Sequence, residues 1–151
     1  MSSWYGAADV AAQALGVQLH LVEARGPDAS DSVFAAMTSA HAGALLVLGD
    51  TMFLLHRRRL AELAAISHLP TMHNIRAYVE AGGLMAYGPN PLDNNRRAAV
   101  YVDKILQGAK PTDLPVEQSM KFDLVINLKT AQALGLTISP TLLFQATEVI
   151  Q

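Results

Sequence analysis

The chain has 151 residues, 51% of them hydrophobic and 16% charged, with a formal net charge of −2 at pH 7 and no cysteine. This apolar content excludes disorder driven by charge, and the slight acidity argues against a broad nucleic-acid-binding surface. The lack of cysteine excludes a disulfide framework, a zinc–thiolate site and a thiol nucleophile. The first residues carry no basic stretch followed by an apolar run, so we expect no signal peptide in this chain.

The first third of the chain predicts helices and strands in alternation. Apolar residues at helical spacing predict a helix over 7–15, and strict alternation of apolar and polar residues predicts a strand over 17–21. A turn is expected at 25–28, followed by a helix over 33–40. The apolar run 44–48 is typical of a parallel strand that is buried on both faces.

The alternation continues through the middle of the chain. A long helix is predicted over 52–67, a brief strand over 69–73 and a glycine-ended helical turn over 78–83. Another short strand follows at 84–87. The clearest helix has a single apolar stripe over 98–106 and ends at Gly108.

The last third begins with a proline-rich, polar connector at 108–118. A strand is predicted over 122–127, a short helix over 129–134 and a last helix over 139–150, which Ser139 caps and Pro140 opens. Strands that alternate with helices predict an α/β fold with a mostly parallel sheet flanked by helices.

Polar side chains follow three of the predicted strands, at the points where those strands end. In open α/β sheets, ligands bind outside the carboxyl ends of the strands. The groups there are a carboxylate, a hydroxyl, an imidazole, two amides and a phenol, which suit a small polar ligand. The predicted ligand-binding residues are Asp50, Thr51, His73, Asn74, Tyr87 and Asn90. As an alternative, Asp50 and Thr51 serve only to cap the helix that follows them.

Other polar features are interpreted more simply. The basic run 56–59 is expected to be a solvated helix surface, with a phosphate contact as the weaker alternative. No pair of histidines has zinc-ligand spacing, and no dinucleotide, nucleotide or nucleophile-elbow motif is present. We therefore predict no metal, no cofactor and no catalytic residue. The residues favour a small-ligand-binding domain over the alternative, a small α/β enzyme using Asp50 and His73.

Five segments of the chain stand out together: 45–50, 79–88, 99–111, 114–118 and 121–131. They resemble the C-terminal half of the ABC-transporter substrate-binding proteins of the tryptophan/tyrosine-binding type. The resemblance implies the second lobe of a type I periplasmic binding protein. It also implies a non-enzymatic function, in which a cleft between two lobes captures a small solute such as an amino acid for a membrane permease.

The resemblance also implies roles for individual residues. Asp50 and Thr51 match the polar pair that follows the buried strand in the family, and Asn90 matches a polar residue that follows its Tyr-Gly pair. Pro91 and Leu92 stand where aromatic-amino-acid binders often have tyrosines, which argues against strict aromatic specificity.

By the same resemblance, residues 1–110 are expected to form the C-terminal lobe without its first strand. Residues 111–151 are expected to form the hinge crossover and a C-terminal strand and helix. Sheet edges left open by this arrangement predict a homo-oligomer. The full-length parent is expected to be periplasmic, or extracellular and lipid-anchored. A ligand-sensing regulatory domain of the same fold is the alternative function.

Overall fold

The computed structural model describes residues 3–26 and 29–151. The chain divides into two compact units, Met1–Ala42 and Gly43–Gln151. None of the helices in these described ranges is long and apolar enough to cross a membrane. The predicted division between residues 110 and 111 stays a prediction.

The first unit contains two helices, α1 (Ser3–Leu15) and α2 (Ser30–Ser39), which confirms both helices predicted there. Gly16 ends α1 with a φ of +67°, a conformation that glycine adopts without strain. The strand predicted over 17–21 is wrong, since these residues form no regular structure. Alternation makes a strand only where another strand can pair with it, and the described residues of this unit contain none. Part of the turn predicted at 25–28 lies outside the described residues.

The second unit is built on a five-stranded sheet whose spatial order follows the chain. The strands are β1 (Leu45–Leu46), β2 (Thr71–His73), β3 (Met85–Pro89), β4 (Phe122–Asn127) and β5 (Glu148–Ile150). β1, β2 and β3 are parallel, β4 is antiparallel to β3, and β5 is parallel to β4. The predicted α/β fold with a mostly parallel sheet is therefore confirmed.

Helices and one turn connect these strands. They are α3 (Thr51–Leu55), α4 (Arg57–Ile66), α5 (Arg76–Glu80), α6 (Pro91–Leu106), a 3₁₀ turn (Pro111–Asp113), α7 (Leu128–Ala133) and α8 (Pro140–Gln145). The helix predicted over 52–67 is two helices, because the backbone of His56 leaves helical geometry at φ −99° and ψ 18°. The Arg57 guanidinium donates to the Leu54 carbonyl at 3.0 Å, which satisfies one of the acceptors that α3 leaves open at its end.

The last predicted helix is also shorter than expected. Ser139 and Pro140 open it as predicted, with the Ser139 hydroxyl accepting from the Leu142 amide at 3.3 Å. It ends at Gln145, and residues 148–150 form β5, where Val149 lies beside Ile126 of β4. The helical spacing of the last apolar residues is therefore overridden by strand pairing with β4.

The core of the second unit lies between α5 and the centre of the sheet. Val79 of α5 packs with Ala86 of β3 and Val125 of β4, and Ile150 closes the cluster. This packing fixes the position of the β2–α5 and β3–α6 connections, where the predicted ligand-binding residues Asn74 and Asn90 lie.

Candidate functional site

Asp50 and Thr51 lie where the chain enters α3. The Asp50 carboxylate accepts a hydrogen bond from the Met52 amide at 2.7 Å, so Asp50 is the N-cap of α3 and Thr51 is its first residue. The capping alternative is thus observed for Asp50. The cap uses Oδ1, and both side chains lie at the protein surface, where they remain open to a ligand.

His73 lies inside the protein rather than on the edge of the sheet. Its side chain is only 4% exposed, and its ring stacks on Tyr78 of α5 with centroids 4.3 Å apart and an angle of 9° between the planes. A side chain on Gly83 would begin 2.9 Å from His73 Nε2, so a glycine is required there. Burial lowers the pKa of His73 to about 4, and the imidazole is therefore neutral at pH 7.

The His73 and Tyr78 pair leaves two enclosed polar atoms without a hydrogen-bond partner, His73 Nδ1 and the Tyr78 hydroxyl. Burial raises the pKa of Tyr78, the nearby Asp50 carboxylate raises it further, and Arg57 opposes both effects. The Tyr78 side chain, which lies beneath the sheet edge, is therefore close enough to the start of α3 to interact electrostatically with Asp50. Sequence reasoning missed Tyr78, because an aromatic residue in a short helix carries no signal of this position.

Asn74 lies between two glycines, Gly49, which follows β1, and Gly88 of β3. Its side-chain amide fills the space of a missing side chain at Gly49, where a Cβ would lie 2.4 Å from Nδ2. The backbone carbonyl oxygen of Asn74 lies so close to Gly88 that a Cβ on Gly88 would be 2.0 Å from it. The ends of β1, β2 and β3 therefore approach each other through Asn74, and its Oδ1 is enclosed without a hydrogen-bond donor.

Asn90 follows β3 and is hydrogen-bonded to residues at the start of β4. Its Oδ1 accepts from the Asp93 amide at 2.8 Å and caps α6, while its Nδ2 donates to Asp123 Oδ2 at 2.7 Å. Its backbone amide also donates to the Lys121 carbonyl at 2.9 Å. Asn90 is thus held on three sides, and its side chain points one N–H at an acidic group.

Asp123 is a polar residue of this region that sequence reasoning missed. It lies on β4 opposite Gly88 of β3, and its Oδ1 is enclosed without a hydrogen-bond donor. The signal in the sequence was a single carboxylate inside an otherwise apolar strand, between Phe122 and Leu124. A charge in such a place has a specific partner or function more often than not.

Tyr87 lies apart from the other predicted ligand-binding residues. It is half exposed, and its ring stacks on Phe122 of β4 with centroids 5.4 Å apart. Because side chains alternate along a strand, Tyr87 points to the opposite face of the sheet from Ala86 and Gly88. The structure therefore places Asp50, Thr51, Asn74 and Asn90 along one edge, His73 beneath it and Tyr87 on the far face.

The edge is rich in hydrogen-bond acceptors and suits a ligand that carries donors. In the described ranges, no group of three or more His, Asp or Glu side chains could hold a metal ion. Two surface grooves lie elsewhere, a groove of about 450 Å³ between α6 and residues 111–119 and one of about 290 Å³ between α4 and α7. Neither of these two grooves is lined by a predicted ligand-binding residue.

The fold is that of a periplasmic-binding-protein domain, and comparison with known proteins gives the family. Residues 8–150 match the family described as ABC transporter substrate binding protein, and the chain belongs to that family. No curated protein sequence matches the chain.

Solved structures of similar proteins agree with this assignment. A conserved domain protein from Vibrio cholerae shares 26% identity and a TM-score of 0.87 over 97% of this chain and 49% of its own. An ABC domain in complex with L-Trp from Streptococcus pneumoniae shares 27% identity and a TM-score of 0.87 over 98% of this chain and 50% of its own.

A substrate binding protein with adhesive properties from Clostridium difficile, in a ligand-free, open structure, has 21% identity and a TM-score of 0.70, and it shows the fold alone. The match spans 97% of this chain and 49% of the Clostridium difficile chain. The chain spans about half the length of the solved structures that it matches.

Proposed function

We propose that this chain supplies one wall of a solute-binding cleft for an ABC importer, and that the solute lies against the edge formed by Asp50, Thr51, Asn74 and Asn90. The observation that carries the proposal is the row of polar groups at the carboxyl ends of β1, β2 and β3 in a chain of this family. Carboxyl ends of parallel strands are where α/β sheets bind ligands.

The proposed solute is a small organic molecule of the amino-acid class. Support comes from the structural neighbour that holds L-Trp and from the acceptor-rich edge, which suits a ligand with several donors. Pro91 and Leu92 at the start of α6 argue that aromatic side chains are not strictly required. A two-lobe cleft closes on its ligand by hinge motion, so a single wall should bind weakly, with a dissociation constant of roughly millimolar.

Binding without chemical change is the proposed mode of action. The alternative is an enzyme that uses Asp50 and His73, and it requires an imidazole that a substrate can reach. His73 is enclosed by Tyr78 and Gly83, and its lowered pKa makes it a poor base at neutral pH. Asp50 meanwhile caps α3.

Two partners follow from the proposed function. One is a membrane permease that receives the solute, with the protein working outside the cytoplasm. The other is a second copy of this chain, because β1 pairs with β2 on one side only and Leu46 on that edge is 52% exposed. Open edges of this kind favour pairing between chains. Light scattering tests this second partner: a clean monomer at micromolar concentration contradicts it.

NMR titration tests the proposed solute site directly. L-tryptophan, a non-aromatic amino acid and a neutral sugar are added to the labelled chain, and backbone and Asn side-chain amide shifts are followed. We expect saturable shifts at residues 49–51, 74 and 90 with the amino acids, and recovery of the added ligand unchanged. Arg58→Ala, on an exposed position of α4, is the control variant with unchanged affinity. Shifts confined to the α6 groove would contradict the proposed location.

A further inference from the structure

Asp123 differs from the other partly buried acidic residues of its unit in having no cationic partner. Asp93 pairs with Arg97 and Glu148 pairs with Arg76, and the other acidic residues that no described ion pair reaches, Asp50, Asp103 and Asp113, are exposed to solvent. No ion pair reaches Asp123 from any described residue. A partly buried carboxylate without a counter-charge is costly unless a ligand supplies one.

The hydrogen bonds of Asp123 are also incomplete. Oδ2 accepts one bond, from Asn90 Nδ2 at 2.7 Å, while Oδ1 is enclosed and accepts none from the described chain. An ionised carboxylate has about four acceptor positions, so most of the capacity of Asp123 is unused. The partner that Asp123 lacks must therefore be a donor, and a positively charged one fits best.

Asn90 holds this carboxylate in place. Its own Oδ1 is committed to capping α6, which fixes the orientation of the amide and leaves only N–H groups to face Asp123. Gly88, the residue of β3 that lies opposite Asp123, has no side chain to cover the carboxylate from that strand. Asn74, whose backbone lies against Gly88, carries a second enclosed acceptor, its Oδ1, beside Gly49.

We propose that Asp123 is a specificity-determining residue that binds the ammonium group of the solute, and that Asn90 acts as a positioning residue by orienting its carboxylate. The inference rests on the proposed function, since it names the ligand group that the same sheet edge selects. It changes the role expected of Asn90 from a ligand-binding residue to a positioning residue, because its side-chain oxygen Oδ1 already caps α6. An inorganic cation is a poorer fit, because no described cluster of three or more metal-ligating side chains lies here.

The test compares three ligands that differ by one charged group. L-tryptophan, tryptamine, which lacks the carboxylate, and indole-3-propionate, which lacks the ammonium, are titrated into the chain by NMR up to their solubility limits. We expect tryptophan and tryptamine to shift the Asn90 side-chain amide signals. Indole-3-propionate should bind about tenfold more weakly or not at all, because a hydrogen bond to a charged group is worth about that factor or more.

Charge removal at position 123 makes the test specific. Asp123→Asn should weaken tryptophan and tryptamine by about tenfold and leave indole-3-propionate unchanged or slightly better. Asp113→Asn, on the exposed 3₁₀ turn, is the matched control with unchanged affinities. If Asp123→Asn proves unfolded by its amide spectrum, the comparison of the three ligands on the native chain decides alone.

The outcomes separate the two proposals. Equal binding of tryptophan and indole-3-propionate, or equal affinities in Asp123→Asn and Asp113→Asn, overturns the role of Asp123 while the solute site stands. Saturable shifts of the Asn90 amide signals when sodium chloride replaces tetramethylammonium chloride at constant ionic strength overturn it as well. No saturable shift with any of the three ligands overturns the solute site and, with it, this inference.

Discussion

Helices α5 and α6 show how little the length and pattern of a helix say about its part in the core. α5 has only five residues, yet Tyr78 and Val79 on it are almost completely buried. α6 has 16 residues with a strong apolar stripe, yet none of its residues is buried, and Val102 and Leu106 are 55% and 82% exposed. α5 lies on the centre of the sheet against β3 and β4, and this contact, rather than periodicity, decides burial.

The difference teaches that an amphipathic stripe predicts a helix with greater certainty than it predicts what covers that helix. A stripe at 3.6-residue spacing reports that one face is apolar. It carries no information on whether the covering surface belongs to the same part of the chain. The helix that the stripe over 98–106 predicts is present as α6, and none of its residues is buried.

The largest expected effect is the loss of a buried isoleucine from the centre of the sheet. Ile126 on β4 is completely buried, and Ile126→Ala should lower the free energy of unfolding by about 3 kcal/mol through lost burial and a residual cavity. The same change at Ile105 of α6, which is 41% exposed, should cost less than about 1 kcal/mol. Urea denaturation of both variants measures the difference, and similar losses would remove the contrast between the two regions.

The next effect concerns the close approach of backbone at Gly88. A Cβ there would lie 2.0 Å from the Asn74 carbonyl oxygen, and backbone atoms must move to relieve the overlap. Gly88→Ala should therefore cost about 2–3 kcal/mol. Gly43→Ala is the matched control, since a Cβ at Gly43 meets no atom within 4 Å. Thermal unfolding compares the two variants, and equal melting temperatures would contradict the tight crossing at Asn74.

The third effect uses pH to distinguish the two regions. His73, which stacks on α5, has its pKa lowered from 6.5 to about 4 by burial, so the unfolded chain binds a proton between those values and the folded chain does not. The stability that the neutral ring contributes is complete above pH 6.5 and is lost as the pH falls toward 4.

Between pH 7 and pH 4.5 this loss amounts to about 2 kcal/mol. His73→Phe keeps a ring to stack on Tyr78 but cannot be protonated, so it should lose about that much less stability over the same pH range. Urea titrations at both pH values give the loss of stability for each protein. The contribution of surface carboxylates is the same in both and cancels when the two losses are compared. Identical pH dependence in the two proteins would show that the ring is not shielded from water.

Much of the fold followed from local chemistry, and the failures have specific causes. The strand over 122–127 and the Ser139–Pro140 helix start have the predicted bounds, because the side chains that specify them act within a few residues. The strand over 17–21 and the helical end of the chain failed, since both depend on whether a distant strand is available for pairing.

The predictions for the candidate site succeeded or failed for the same reason. Asp50 and Asn90 follow their strands as predicted, and the cap positions were visible in the sequence. His73 was expected on the edge and lies inside, because it is still part of β2 and its side chain points to the face of the sheet that α5 covers. Asp123 could not be placed beside Asn90 without knowing that β4 runs antiparallel to β3.

The smallest expected effect lies on α6 and is the most direct test of its exposure. Leu106 has little to lose when truncated, and alanine is the best helix former, so Leu106→Ala should change the free energy of unfolding by less than about 0.5 kcal/mol. The measurement is made at two protein concentrations that differ a hundredfold. A loss above 1 kcal/mol that grows with concentration would mean that a second copy covers the stripe of α6 in solution. A loss of that size independent of concentration would mean that the chain itself covers Leu106, and the contrast between α5 and α6 would then fail.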